Sequence, residues 1–183
     1  MSLRVKIPSQ MQIIQVYAVI VLMIYGWTLY RYAWKVPSWT YYLTLGEMAH
    51  IYAYALVVNF LESAALLAAF LSAALILPAA WLGELFAARS VSFLLPALTY
   101  AMLFSNSFKS AAEKDYPQNL AAWLPALFAF AALLAFAAGR WSPLRRAAEE
   151  FSARAVIFLY IFMPISALAA AYLFLQNLWM ALR

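Results

Sequence analysis

The polar chemistry of this chain is concentrated at two places in an otherwise apolar sequence. The first is Asn59, Glu62 and Ser63 within NFLESAALLAAF. An acid at the middle of a membrane span costs about 3 kcal/mol on insertion scales, and such a residue marks a functional site by default. A low-dielectric setting favours the neutral carboxyl, which donates a hydrogen bond. Counted from Ile51 to Leu77 the midpoint is residue 64, which sets Glu62 about 3 Å from the centre at 1.5 Å per residue. The second place is Glu47, His50 and Tyr54, whose three- and four-residue spacing puts them on one helical face. A Glu and a His at i, i+3 bind a metal when another helix repeats the pair, and no second His exists here. His50 has three readings: an interfacial His bonded to Glu47 or to lipid phosphate, a group titrating near neutrality, or a one-sided ligand to a haem or chlorin.

Partners for Glu62 are ranked by depth. Ser92, Thr99 and Asn106 recur every seven residues, a polar stripe expected to point inward. Thr99 and Tyr100 fall near the middle of their span and Ser166 near the middle of the last one, while the first and fourth spans offer nothing polar at that depth. The expectation is a midplane layer of Asn59, Glu62, Thr99, Tyr100 and Ser166, with spans two, three and five innermost. Such a layer has three readings: a clasp in which hydrogen bonds specify how three helices meet, a proton- or cation-coupled transport site, and a polar floor under a lipid or cofactor pocket. Transport commonly uses a second intramembrane charge, and Glu62 has none beside it in the sequence.

These residues must be held by elements whose nature the composition dictates. Of 183 residues, 68% are apolar or aromatic and 10% are charged, against about half and about a quarter in a soluble domain. A soluble globule is excluded, and an all-α, polytopic transmembrane bundle forming a single domain is expected. A bilayer core of about 30 Å needs about 20 apolar helical residues, and five segments qualify: 10–32, 47–77, 91–106, 120–138 and 155–175. Ser9 and Gln12 have capping-box spacing ahead of the first. Pro78 is read as the stop of the second and Gly139 of the fourth, with Pro96 and Pro164 as kinks inside spans. Short interfacial helices are expected at 38–46 and at 142–152, the latter with Arg145 and Glu149 paired at i, i+4.

The aromatic run from Tyr25 to Tyr42, with Arg31 and Lys35 inside it, reads as a headgroup-level belt or as a platform for a flat or sugar-bearing ligand. Small residues at four-residue spacing (Ala65, Ala69, Ala73; Ala64, Ala68, Ser72; Ala131, Ala135, Gly139; Ala167, Ala171) suit close approach of spans two, four and five. With the N-terminus in the cytoplasm, seven Lys and Arg lie inside and five outside, four of the seven in the loop 140–154, so the expected orientation in a cell or inner membrane is N-in, C-out.

The same counts limit function. With no Cys and one His, thiolate and multi-histidine metal sites are out, and no metal or cofactor is expected. The net charge of +5 is scattered between apolar runs, which fits basic loops beside a lipid bilayer rather than nucleic acid. No phosphate loop, dinucleotide fingerprint, nucleophile elbow or zinc-protease motif occurs, so an enzyme is not expected. The leading expectation is a non-catalytic accessory, scaffold or anchoring component working with other membrane subunits. The alternative is a small transporter, or a lipid- or small-molecule-binding protein, using Glu62 as a protonatable group.

Overall fold

The computed structural model describes residues 8–76, 85–107 and 116–181. Among them the chain is all helical, and five helices are long and apolar enough to cross a membrane: α1 (Gln10–Trp39), α2 (Leu45–Ile76), α3 (Phe86–Ser107), α4 (Tyr116–Arg140) and α5 (Ser142–Ala181). The protein is an integral membrane helix bundle. The Pro78 stop, Lys109, Lys114, Asp115, and the terminal Arg4, Lys6 and Arg183 lie outside the described residues, as does the side chain of Asn106.

The capping box opens α1 as its spacing requires: Ser9 Oγ accepts from the Gln12 N–H at 3.3 Å and Gln12 Oε1 from the Ser9 N–H at 3.1 Å. The helix then runs through Pro37 in its last turn. No separate helix occupies 38–46, because Ser38 and Trp39 finish α1, residues 40–42 turn, and α2 begins at Leu45. A second capping box starts α2. Thr44 Oγ1 accepts from the Glu47 N–H at 3.3 Å, while Glu47 Oε2 accepts from the Thr44 N–H and hydroxyl, both at 2.8 Å.

The fifth span begins earlier than its apolar run. Ser142–Ala181 is one 40-residue helix, about 60 Å long, so 142–152 is its first three turns and not a separate element. Pro143 stands in the first turn, where its missing N–H costs nothing, and no breaker follows until Pro164. The i, i+4 ion pair on these turns is Glu150–Arg154 at 3.9 Å, both exposed, in place of the expected Arg145–Glu149. Gly139 does not end α4, which continues to Arg140; instead the Arg89 side chain lies against Gly139, where an added Cβ would meet Nη2 at 2.5 Å.

α1 is about as deeply buried as α3, the third span, so the expectation of spans two, three and five innermost holds for the third alone. α1 packs on α2, α3 and α5, and α4 sits at the edge, mainly on α3. Val16, Ala18, Val19, Ile20, Val21 and Tyr25 are wholly buried. The reason is side-chain size: α3 and α5 offer small residues to α1, with Ala87, Ala88, Ala148 and Ala155 in the same cluster as Val16 and Ile20. On α5 the buried positions Ala148, Ser152, Ala155, Phe162, Ser166, Ala169 and Leu173 follow three- and four-residue steps with one gap at the half-buried Leu159, a close-packing seam. The four-residue strips behave differently. Ala131 is buried, but Ala65, Ala68, Ala69, Ala167 and Ala171 are exposed.

Among the described residues the core narrows along the bundle. Eleven buried residues cluster at the end holding the start of α1, three around Tyr25 and Phe162, and three around Ala53 and Leu173 near the other end. Forcing Leu into the tight end at Ala155 is expected to cost about 1–3 kcal/mol. Thermal unfolding in detergent should show a lowered Tm for Ala155→Leu and none for Ala153→Leu on the exposed side.

Candidate functional site

Three polar links tie α1 to α2 and α5, and each starts from an α1 side chain. Tyr25 is wholly buried; its hydroxyl lies 2.7 Å from Ser166 Oγ on α5 and donates to the Leu56 carbonyl on α2 at 3.3 Å. Its ring stacks on Phe162 at 4.7 Å. Thr28 donates to Asn59 Oδ1 at 3.0 Å. The Tyr17 hydroxyl reaches both Ser63 Oγ at 3.4 Å and Met163 Sδ at 3.6 Å, while Ser63 donates to the Phe60 carbonyl at 2.9 Å. A polar group in hydrocarbon has no water to fall back on, so each link constrains how the helices meet.

Asn59 and Ser166 are buried, as expected of the layer, and so is Ser63, which stood outside it; each meets a different α1 side chain in place of the expected partners. The first span, read as empty of polar groups at this depth, supplies Tyr17, Tyr25 and Thr28. The third span does not contribute: Thr99 is exposed, and Tyr100 is half-buried with its ring on Phe104 at 5.7 Å. Glu62 is outside the layer as well. Asn59 and Ser63, four residues apart, face α1; Glu62 is rotated about 100° from Ser63 and is exposed on the outer side of α2. From the midpoint of the 32-residue α2 it is about 2 Å along the axis. Its position along α2 agrees with the count from the sequence and its direction does not.

Outside, Glu62 lines a recess of about 420 Å³ between α1 and α2, with Thr28 and Tyr32 on one wall and Ile51, Tyr54, Ala55, Val58 and Asn59 on the other. The size is that of a small-molecule site. Asn59 is 5% exposed, and its Nδ2 has no hydrogen-bond partner, although Thr28 holds the other end of the amide. A buried donor left open is uncommon and calls for an explanation.

Glu47, His50 and Tyr54 share a face but not a hydrogen bond. The Glu47 carboxylate is engaged by Thr44, which leaves His50 packed edge-on between Tyr54 at 4.9 Å and Tyr172 of α5 at 6.1 Å. In the belt, Trp27 carries the Arg31 guanidinium at 5.8 Å and Trp39 the Lys35 ammonium at 6.0 Å, and Tyr32 meets Trp39 and Tyr52. These rings are used by one another and by cations, while Trp34 and Tyr41 stand 80% and 90% exposed. Interlocked rings with snorkelling cations are what the headgroup level favours.

Comparison with known proteins returns no matching family model, and no curated protein or solved structure shows significant similarity. Because Tyr25 and Ser166 form the shortest of the α1 links, a double-mutant cycle with Tyr25→Phe and Ser166→Ala should give a coupling of about 0.5–2 kcal/mol, read from unfolding in mixed micelles. A coupling near zero would mean that the hydroxyls pack without bonding.

Proposed function

We propose that this protein is a non-catalytic membrane component that works by association, and that the outer side of α2 around Glu62 is the surface it uses. The carrying observation is that the bundle satisfies its own polar groups at Asn59 Oδ1, Ser63 and Ser166 while leaving Glu62 exposed at mid-span. A mid-membrane acid against acyl chains costs about 3 kcal/mol, and covering it with a hydrogen-bonding partner removes that cost. An accessory, scaffold or anchoring subunit fits this reading. A second reading is favoured by the recess beside Glu62: binding or carriage of a small lipid-soluble molecule.

In this proposal the protein sits in a cell or inner membrane with its N-terminus in the cytoplasm. Support comes from Arg140, Arg145, Arg146 and Arg154 around the α4–α5 junction, the densest short basic segment. The absence of Cys makes single-cysteine labelling clean. In intact cells an impermeant maleimide should label Tyr41→Cys and leave Ala147→Cys unmodified until the membrane is opened; the reverse pattern inverts the topology.

Association is tested by a photoreactive residue at Leu61, which is 60% exposed on α2, compared with one at Leu133, 62% exposed on α4. Light should attach the Leu61 variant to a discrete protein in native membranes and the Leu133 variant only to lipid. Equal, lipid-only products at both positions would remove α2 as the association surface.

A further inference from the structure

The α2 face around Glu62 carries a heptad pattern that names its partner. Ala55, Val58, Glu62, Ala65, Ala69 and Ser72 follow alternating three- and four-residue steps, and Ile51 and Ile76 extend the series by one step at either end. Small or apolar residues repeating about every 3.5 positions form the seam along which two helices wind left-handedly around each other. Within the described residues the bundle leaves this seam unused: every member from Val58 to Ile76 is exposed, and Ile51 and Ala55 are half-buried. Two features separate it from an ordinary lipid-facing surface. Glu62, an acid unfavourable against acyl chains, stands at its middle. The outer half is also hollow, because Ile51, Ala55, Val58 and Glu62 line the recess of about 420 Å³ between α1 and α2, room that side chains of an opposing helix can enter. The exposed side of α4 is unlike it, with Phe128, Phe130, Leu133 and Phe136 standing out.

We propose that this seam pairs with the same seam of a second copy of the chain, α2 against α2, about a two-fold axis along the membrane normal. Copies inserted with one topology present α2 in parallel, and in a parallel pair each layer consists of a residue and its own counterpart. Every layer of this seam accepts itself. The apolar layers meet their like, and Ala65, Ala69 and Ser72 are small enough for close approach of the two backbones. At Ser72 a hydroxyl meets a hydroxyl. At Glu62 a carboxyl meets a carboxyl at equal depth. A neutral carboxyl holds one O–H donor as well as acceptor oxygens, so the two exchange hydrogen bonds and neither faces lipid. A cation on a foreign span would also answer Glu62, but no other layer of the seam calls for a different counterpart. From Ile51 to Ile76 the contact extends about 37 Å, enough to cross the hydrocarbon core of about 30 Å. The pairing rests on the association reading above and gives it a partner.

The test uses the full chain in liposomes and reads energy transfer between copies carrying a donor or an acceptor dye. The dyes are attached through Ala147→Cys, an exposed position in a chain with no native Cys. Transfer that saturates as the protein-to-lipid ratio rises is expected. Ala69→Phe, which wedges the seam apart, and Glu62→Leu, which removes the exchanged hydrogen bonds, should each weaken pairing at least tenfold. Glu62→Gln should recover it to within threefold, since a carboxamide both donates and accepts. Ala132→Phe, at an exposed position of α4, should pair like the unmodified chain. Because Glu62 and Ala69 are exposed, these changes leave the interior intact. In native membranes, mild oxidation should join copies carrying Ala65→Cys or Ser72→Cys into a product of twice the 20.6 kDa chain mass and leave Leu133→Cys single. The pairing is overturned if transfer does not saturate, if Ala69→Phe pairs like the unmodified chain, or if Glu62→Gln pairs no better than Glu62→Leu. A Leu61 photoadduct to a different protein, without saturable transfer, would refute the second copy and leave association standing. Lipid-only products at Leu61 without saturable transfer would remove both.

Discussion

The hydrogen bond between Tyr25 and Ser166, 2.7 Å long and closed off from the surroundings, is the constraint on which the rest of the bundle depends. Helices in lipid gain nothing from apolar burial against one another, so fixed rotations must come from close packing and from polar groups with nowhere else to go. Tyr25 provides both, since its ring stacks on Phe162 while its hydroxyl spans from α5 to the α2 backbone. Fixing α1 against both helices at that level decides which side of α2 turns inward. Asn59 and Ser63 then meet Thr28 and Tyr17, and Glu62 is left on the outside.

The association proposed for the α2 surface follows from that rotation. A span that buried Glu62 would be chemically self-contained. A span that buries Asn59 and Ser63 but turns Glu62 outward keeps one polar group outside its own network. The scarcity of glycine, four in the chain, suits binding more than a rocking transport cycle.

Much of the architecture was readable from composition and apolar run length, because a bilayer imposes one length scale on every span. Helix ends were less so. The signal for α2 was present in Thr44 and Glu47 but was masked by reading Glu47 with His50. The α5 start was missed because a charged segment looks like a separate surface helix, although nothing between Pro143 and Pro164 interrupts it. For the site, sequence gave depth but not direction. The position of Glu62 along α2 follows from counting, whereas its rotation depends on contacts made by α1. Tyr25 and Thr28 fall inside the aromatic run that reads as a belt, although Val21 and Leu22, one turn before Tyr25, are still within the apolar run, and Tyr17 is a lone tyrosine whose inward direction depends on the contacts of α2 and α5. Thr99 shows the converse, a polar residue at the right depth whose helix presents it outward.

The narrowing of the core from one end of the bundle to the other has a mechanical corollary. The molecule resembles tongs gripped near the handle. At the start of α1, valine, isoleucine and alanine fill the space between three helices, and squeezing there meets side chains already in contact. Toward Ala53 and Leu173 fewer of the described side chains separate the arms. Changes in lipid packing would thus be felt unequally in the two leaflets, moving the sparsely filled arms first and altering the width of the cleft beside Tyr32 and Tyr54 before anything at the gripped end shifts.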